Sequence, residues 1–224
     1  MSKRTIIVFD FETTFVEPLD ELCEIVEIGA VALDSRTLKT IPNSEFFVEV
    51  RPENLNDPNY YADHKSTIDW HVGLKPGRTP DSMMEQWSKG TPEKDALKMF
   101  LDYCSAYKWG KSYDTAPTAG GNNIINFDLP ILQRYLEKYK MKWPFFKRDV
   151  YDMQQMCLYS LGYSLDAPRS YSMDNLRTYF GLSGENGHNA LFDAQQEATV
   201  ISYLGRKFQS LSKNFQARGC LANA

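Results

Sequence analysis

Asp10 and Glu12 are two carboxylates that stand one residue apart at the end of the apolar segment 5–11. Because side chains alternate between the two faces of a β-strand, a strand here would direct both carboxylates to the same side. Two like charges on one face repel each other at neutral pH, unless water solvates the strand end or a divalent cation binds both groups. Hard oxygen ligands of this kind suit Mg²⁺ or Mn²⁺. The pair alone is compatible with either arrangement.

Two further acids and a histidine stand near the predicted beginnings of helices. Asp128 lies where a Gly-rich strand end turns into a helix, and Asp193 lies in the first turns of the last long helix, five residues after His188. The helix dipole alone explains each acid, and exposure in a loop explains the histidine. An imidazole that titrates near neutrality can, however, accept a proton from an attacking water. Taken one at a time, these residues leave both interpretations open.

The order of these motifs along the chain resembles that of the DEDDh 3′-5′ exonucleases. The matching segments are Asp10-Phe-Glu-Thr13, Gly120-Gly-Asn-Asn-Ile-Ile-Asn-Phe-Asp128, Asp174-Asn-Leu176 and His188-x-Ala-x-x-Asp193. Each motif is weak alone, but the ordered set is similar to the DnaQ and RNase T-like superfamily over residues 10–193. Within that superfamily, the segment Ser66-Thr-Ile-Asp-Trp-His71 is similar to the phage exonuclease A type.

The resemblance implies a metal-dependent hydrolase that cleaves phosphodiester bonds at the 3′ end of single-stranded nucleic acid and releases 5′-mononucleotides. Two Mg²⁺ or Mn²⁺ ions, with the first acid bridging them, would be held by Asp10, Glu12, Asp128 and Asp193. His188 would complete the catalytic set as the general base. Two ions about 3.5–4 Å apart can activate a water and stabilise the leaving oxygen.

The resemblance also implies substrate contacts, which are assigned to Phe11, Thr13, Asn123 and Asn126. The asparagine at 123 stands five residues before Asp128, as in oligoribonuclease-like members, whereas proofreading subunits have an asparagine four residues before this acid. DNA is favoured as the substrate because of the similarity to phage enzymes, and RNA remains open. The sequence identifies neither a replication or polymerase partner nor an oligomeric state.

Two other function classes remain as alternatives. One is a noncatalytic module that binds nucleic-acid ends, although such a module needs no general base at His188. The other is a phosphatase of the haloacid dehalogenase type, because the strand that ends in Asp-Phe-Glu-Thr is loosely similar to the opening motif of that family. Its motif is D-x-D, however, and Glu12 counts against it.

The segment 134–148 interleaves six basic residues with five aromatic ones. One interpretation is a track for a single strand that leads to Asp128, since phosphate contacts and base stacking bind single strands. The other is an amphipathic helix followed by a packed turn, with Tyr135 and Tyr139 in the core and the lysines in water. The second interpretation is favoured.

The composition limits the class of protein further. The chain has 224 residues, is 42% hydrophobic and carries a net charge of −4, which is typical of a folded protein and argues against one that coats duplex nucleic acid. Its four cysteines form no CxxC pair, and the sequence contains neither an 18-residue apolar segment nor a signal peptide. We therefore expect a cytoplasmic protein, in the host cytoplasm if it is phage-encoded, with no membrane association.

The elements that must position these residues follow from hydrophobic patterning. Strands are predicted at 5–11, 24–33, 45–50, 116–120 and 148–153, and helices at 91–104, 130–139, 173–180 and 190–204. Short links make the first three strands antiparallel, and the later alternation adds parallel strands. The prediction is an α/β fold, an RNase H-like mixed five-stranded sheet flanked by helices. One domain over 1–224 would contain an irregular insertion at about 51–91, with a short helix near Ser66–His71.

Overall fold

A mixed sheet lies at the centre of the protein in the computed structural model, which describes residues 4–74, 77–162, 164–184 and 187–214. Its strands, in the order β4-β3-β2-β1-β5-β6, are β1 (Thr5–Thr13), β2 (Ile25–Asp34), β3 (Phe46–Arg51), β4 (Thr91–Pro92), β5 (Thr118–Gly121) and β6 (Val150–Asp152). Strands β1, β2 and β3 pair antiparallel, whereas β5 and β6 add in parallel beside β1. The predicted mixed sheet is therefore confirmed, and the two-residue β4 is a sixth strand that the sequence did not predict.

Helices cover both faces of this sheet. Their bounds are α1 (Tyr60–Asp63), α2 (Lys65–Gly73), α3 (Pro80–Ser88), α4 (Glu93–Ala106), α5 (Asp128–Lys138), α6 (Met153–Leu161), α7 (Met173–Phe180) and α8 (Ala190–Asn214). Helix α6 was not predicted, and α8 continues to Asn214 instead of ending at 204. None of the described helices has the length and apolar character that a membrane-spanning segment requires.

The two faces of β1 bury different clusters of side chains. Ile7 and Phe9 face α4 and α5, and the Phe9 ring stacks on Phe145 with 5.4 Å between ring centroids. Ile6 and Val8 face the opposite cluster, to which α6, α7 and α8 contribute. Because the alternation continues along the strand, the next two even-numbered side chains, the predicted acids, face α8.

The beginning of α8 is held tightly against β2. Gly29 lies opposite Asp10 in the β1–β2 pairing, and a Cβ atom at Gly29 would fall 2.1 Å from the backbone of Ala190. Beside it, Oε2 of Glu27 accepts hydrogen bonds from the Ala190 amide and the Asn189 side chain, both at 3.1 Å. A carboxylate at a helix N-terminus satisfies free N–H groups and interacts favourably with the helix dipole. The first turn of α8 therefore has a fixed position above the end of β1.

The segment 51–91 is more regular than the predicted insertion. The short helix predicted near Ser66–His71 is confirmed as α2, whereas α1 and α3 were not predicted. These helices surround a small apolar cluster, to which β2 also contributes, made of Val26, Tyr60, Ile68, Met83 and Trp87. Helices this short have little stability of their own and depend on such packing, so hydrophobic patterning alone gives little indication of them. A hydrogen bond of 3.2 Å between Nε2 of His71 and the carbonyl of Thr13 ties α2 to the end of β1. The single domain over 1–224 stays a prediction.

Replacing Gly29 with alanine should destabilise the protein by about 3 kcal/mol or more, since overpacking usually costs about 1–3 kcal/mol and here the new methyl group meets backbone. Thermal and urea unfolding would measure the change. Gly73→Ala is the matched control, because a Cβ there has no atom within 4 Å, and its effect should stay below about 1 kcal/mol. Equal stabilities of the two variants would contradict the close contact between β2 and α8.

Candidate active site

The end of β1 brings together side chains that are far apart in the sequence. Asp10 and Glu12 share the face of the strand that lies under α8, as the sequence predicted. Glu12, His188 and Asp193 each offer one ligand atom, and these atoms lie within 4.8 Å of one another. This spacing is close enough for one cation to contact all three residues.

Asp128 reaches the same strand end from the other side of the sheet. It is the first residue of α5, is 3% exposed, and its Oδ1 accepts a hydrogen bond of 3.0 Å from the backbone amide of Phe11. That amide lies between Asp10 and Glu12, so the hydrogen bond places the third carboxylate beside the first two. The turn before α5 includes Asn123 in the left-handed backbone region, at φ 53°, which asparagine tolerates better than most residues.

Asp193 and His188 approach from the beginning of α8. The carboxylate of Asp193 accepts a hydrogen bond of 3.0 Å from the backbone amide of His188 through Oδ2, and its Oδ1 accepts another from the guanidinium of Arg177. His188 adopts a left-handed backbone at φ 64°. Its ring contacts the partly exposed Trp70 of α2 edge-on, with 4.4 Å between ring centroids. Sparsely populated backbone angles of this kind concentrate at functional sites.

Burial raises the pKa values of these acids above their usual range, and repulsion from neighbouring carboxylates adds to the shift. The pKa of Glu12 is raised to about 8, mainly by burial and then by the charges of Asp193, Glu27 and Asp128, while Arg177 opposes the shift. Burial also raises the pKa of Asp128 to about 7.

Burial is also the largest cause of the shift at the other two predicted acids. Burial, followed by the neighbouring acids, raises the pKa of Asp10 well above its usual range. The pKa of Asp193 is raised by burial although Arg177 lowers it. A site that concentrates hard oxygen donors and disfavours their uncompensated charge is chemically suited to divalent cations.

Two charged residues of this site were missed at the level of sequence. Arg177 is buried and donates hydrogen bonds to three side chains, those of Asp174 and Gln196 at 2.7 Å and that of Asp193. Gly187 makes room for it, because a Cβ there would lie 3.1 Å from Nη1 of Arg177. The other is Glu197, which is 2% exposed on α8. Its spacing of four residues from Asp193 places both on one helix face and was the available signal.

The four residues that are predicted to contact substrate lie near the site, but their side chains have different environments. The ring of Phe11 is in the core, 5.1 Å from the Phe9 ring between centroids, and the residue is only 4% exposed. The hydroxyl of Thr13 is buried and donates to the carbonyl of Phe15 at 2.9 Å. Asn123 and Asn126 are joined to each other by a side-chain hydrogen bond of 2.9 Å. Contact of these four residues with substrate stays a prediction.

The basic and aromatic segment 134–148 follows its second interpretation in part, because Tyr135 lies in the core while Tyr139 is only half-buried against it. Tyr135 is 2% exposed, and Arg134 donates a hydrogen bond to the carbonyl of Cys23. Lys138 forms ion pairs with Glu53 at 2.6 Å and Glu93 at 2.7 Å. These side chains are engaged within the fold, so the segment gives no independent support for a single-strand track.

A family model described as the 3′-5′ exoribonuclease Rv2179c-like domain matches residues 5–204. This match contains every predicted site residue. A comparison with curated protein sequences finds no match to the chain.

Solved structures of nucleases share the fold. Escherichia coli exonuclease I in complex with a dT13 oligonucleotide is 17% identical with a TM-score of 0.65, over 98% of this chain and 46% of that one. A 3′-exonuclease described in 3′-end recognition of a histone mRNA stem-loop is 19% identical with a TM-score of 0.62, over 92% and 84% of the chains. Cell-death related nuclease 4 is 16% identical with a TM-score of 0.64, over 91% and 64%. The chain thus spans less than half the length of exonuclease I.

We expect the metal-free protein to lose stability as the pH rises from about 5 to about 8. The pKa of Glu12 rises from 4.5 to about 8 and that of Asp128 from 3.8 to about 7, so the folded state prefers neutral carboxyls. The resulting stability is fully present below the ordinary pKa values and is lost as the pH rises through the raised ones. Thermal unfolding in chelator measures it, and Asp128→Asn should flatten the profile. A profile that rises over this range would contradict the expected ionisation.

Proposed function

The chain belongs to the family of 3′-5′ exoribonuclease Rv2179c-like domains, and on this premise we propose that it releases 5′-mononucleotides from the 3′ end of single-stranded RNA. The observation that carries the proposal is the convergence of Asp10, Glu12, Asp128, Asp193 and His188 at one strand end. We propose RNA in place of the DNA that the similarity to phage enzymes favours, because the family description specifies an exoribonuclease.

The four predicted acids fit a role as ligands of two divalent cations, Mg²⁺ or Mn²⁺. Support comes from the 4.8 Å cluster of Glu12, His188 and Asp193 and from the raised pKa of each acid, which divalent cations would counteract. Bound there, the ions would supply charge stabilisation to the attacking water and to the leaving 3′ oxygen. The chain itself fixes the carboxylates through the Phe11 amide, the His188 amide and the Arg177 guanidinium.

His188 is proposed as the general base that accepts the proton of the attacking water. Its backbone is fixed by the hydrogen bond to Asp193, and its half-buried ring lies at the mouth of the acidic cluster. The same closeness to Glu12 would also allow the ring to ligate a cation. If the ring is a ligand, its loss should weaken cation binding. If it is only the general base, its loss should leave cation affinity unchanged.

Trp70 is proposed as a surface on which the terminal base of the substrate stacks. It is 44% exposed, lies beside His188, and belongs to the helix that His71 ties to Thr13. Stacking on an aromatic ring accepts any base, which suits an enzyme that removes successive nucleotides. The 3′ ends of single strands are therefore the proposed binding partners. A cytoplasmic location is also proposed, supported by the buried free thiols of Cys23, Cys104 and Cys157.

Single-stranded DNA remains the second candidate substrate, because the fold is shared with exonuclease I in complex with a dT13 oligonucleotide. RNA and DNA of the same sequence, each labelled at one end, would decide both polymer and direction. The 3′ label should appear at once as a mononucleotide, while the 5′-labelled strand shortens stepwise. RNA should be degraded faster than DNA.

The Asp10→Asn variant should slow this degradation by more than about 100-fold, because one oxygen ligand of the proposed cations is lost. Asp102→Asn is the matched control, since Asp102 is exposed on α4, and should leave the rate unchanged. Equal degradation in excess chelator, or early release of the 5′ label, would contradict the proposed reaction.

The His188→Asn variant should reduce the rate by about 10²–10⁴-fold, the usual contribution of a general base. Asparagine tolerates the left-handed backbone at φ 64°, so the loop geometry should persist. Single-turnover kinetics at saturating Mn²⁺ would measure the rate, and calorimetry would measure Mn²⁺ affinity. An unchanged rate would remove His188 from the mechanism, and a parallel loss of Mn²⁺ affinity would make it a ligand.

A further inference from the structure

We infer that Glu197 is a fifth metal-binding carboxylate of this site, an inference that rests on the proposed function. Glu197 follows Asp193 by four residues on α8, so both side chains leave the same face of the helix. That face lies over β1 and β5, where Asp10 and the Gly-rich strand end are found. The ligand class is a divalent cation with hard oxygen preference, Mg²⁺ or Mn²⁺.

The two oxygens of Glu197 have different environments. The backbone amide of Asn122, directly after β5, lowers the pKa of Glu197 and so favours its charged form on that side. The Oε2 atom of Glu197 is buried and has no hydrogen-bond partner among the described residues, and the same holds for Oδ1 of Asn122. Burying an unpaired carboxylate oxygen is costly, so a partner that supplies positive charge is expected at this position.

The charge of Glu197 and the charges of the predicted acids affect each other's pKa values. Among the charges around Asp10, Glu197 has the largest effect in raising the pKa of that acid, ahead of Glu12. The pKa of Glu197 is itself raised by burial first and then by Asp128 and Asp193. These charge effects agree with the position that the shared helix face with Asp193 and the burial of Glu197 indicate.

Other buried glutamates show that an unpaired oxygen is not sufficient by itself. Glu24 and Glu93 also have a buried Oε2 without a partner in the described structure. Glu93, however, forms an ion pair of 2.7 Å with Lys138, and Oε1 of Glu24 accepts two hydrogen bonds from Asn54. Glu197 has no ion pair with any described basic residue.

The charge of Arg177 gives a reason for a fifth acid. Its guanidinium donates to Asp193 and thereby compensates part of the charge that this carboxylate could offer to a cation. Glu197 has no such pair with a described basic residue. It can therefore offer its full charge to a cation beside Asp193, whose charge Arg177 reduces.

Calorimetric titration of the full chain with Mn²⁺ tests the inference without relying on turnover. Glu197→Gln should weaken Mn²⁺ binding by about 10-fold or more, as the loss of a metal-site partner does. Glu197→Asp keeps the charge and should retain more of the affinity. The Mn²⁺ concentration that gives half of the maximal exonuclease rate should increase by the same factor as the dissociation constant.

Glu93→Gln is the matched control, because Glu93 is equally buried but lies away from the cluster, and its Mn²⁺ affinity should equal that of the wild type. Wild-type affinity in Glu197→Gln, or an equal loss in the control, would overturn the inference. So would a wild-type protein that binds no Mn²⁺. A wild type that binds Mn²⁺ but degrades no strand would contradict only the proposed function.

Discussion

The repulsion among carboxylates gathered at the end of β1 is the constraint on which the surrounding structure depends. Burial raises the pKa values of Asp10, Glu12 and Asp128, and the neighbouring acids add to the shift at Asp10 and Glu12, so the ionised cluster is stable only where donors or cations compensate it. The fold provides backbone amides and the single guanidinium of Arg177 as donors. Each donor comes from a different element, which makes the cluster a product of tertiary structure.

The sequence was sufficient for the framework of the sheet and for the order of the site motifs. Continuous β-branched and aromatic residues indicated β1, because a strand covered on both faces needs such side chains, and shorter apolar runs indicated β2 and β3. The period of two placed Asp10 and Glu12 on one face. Their meeting with Asp128 and Asp193 was expected only from the family resemblance, because no local spacing can determine contacts across 65 or more residues.

The remaining features depend on packing that no short segment encodes. Helix α6 begins directly after β6 with Asp152 as its N-cap, and the strand predicted at 148–153 covers only its first residue, so the helix itself was missed. Helices α1, α2 and α3 are short and depend on the cluster around Trp87. Arg177 and Trp70 reach the site across the fold, and the sequence offers no spacing that pairs either residue with Asp193 or His188.

We expect helices α1–α3 and the small apolar cluster beneath them to open as one cooperative unit, separately from the sheet. All its buried members except Val26 come from these helices, so the unit can open at a lower free energy than global unfolding. Such a local opening would withdraw Trp70 from His188 while the sheet and its acids stay folded. Access to the strand end would then be governed by a subglobal equilibrium, set by a few apolar contacts and by hydrogen bonds such as those of His71 with Thr13 and of Gln86 with Glu49.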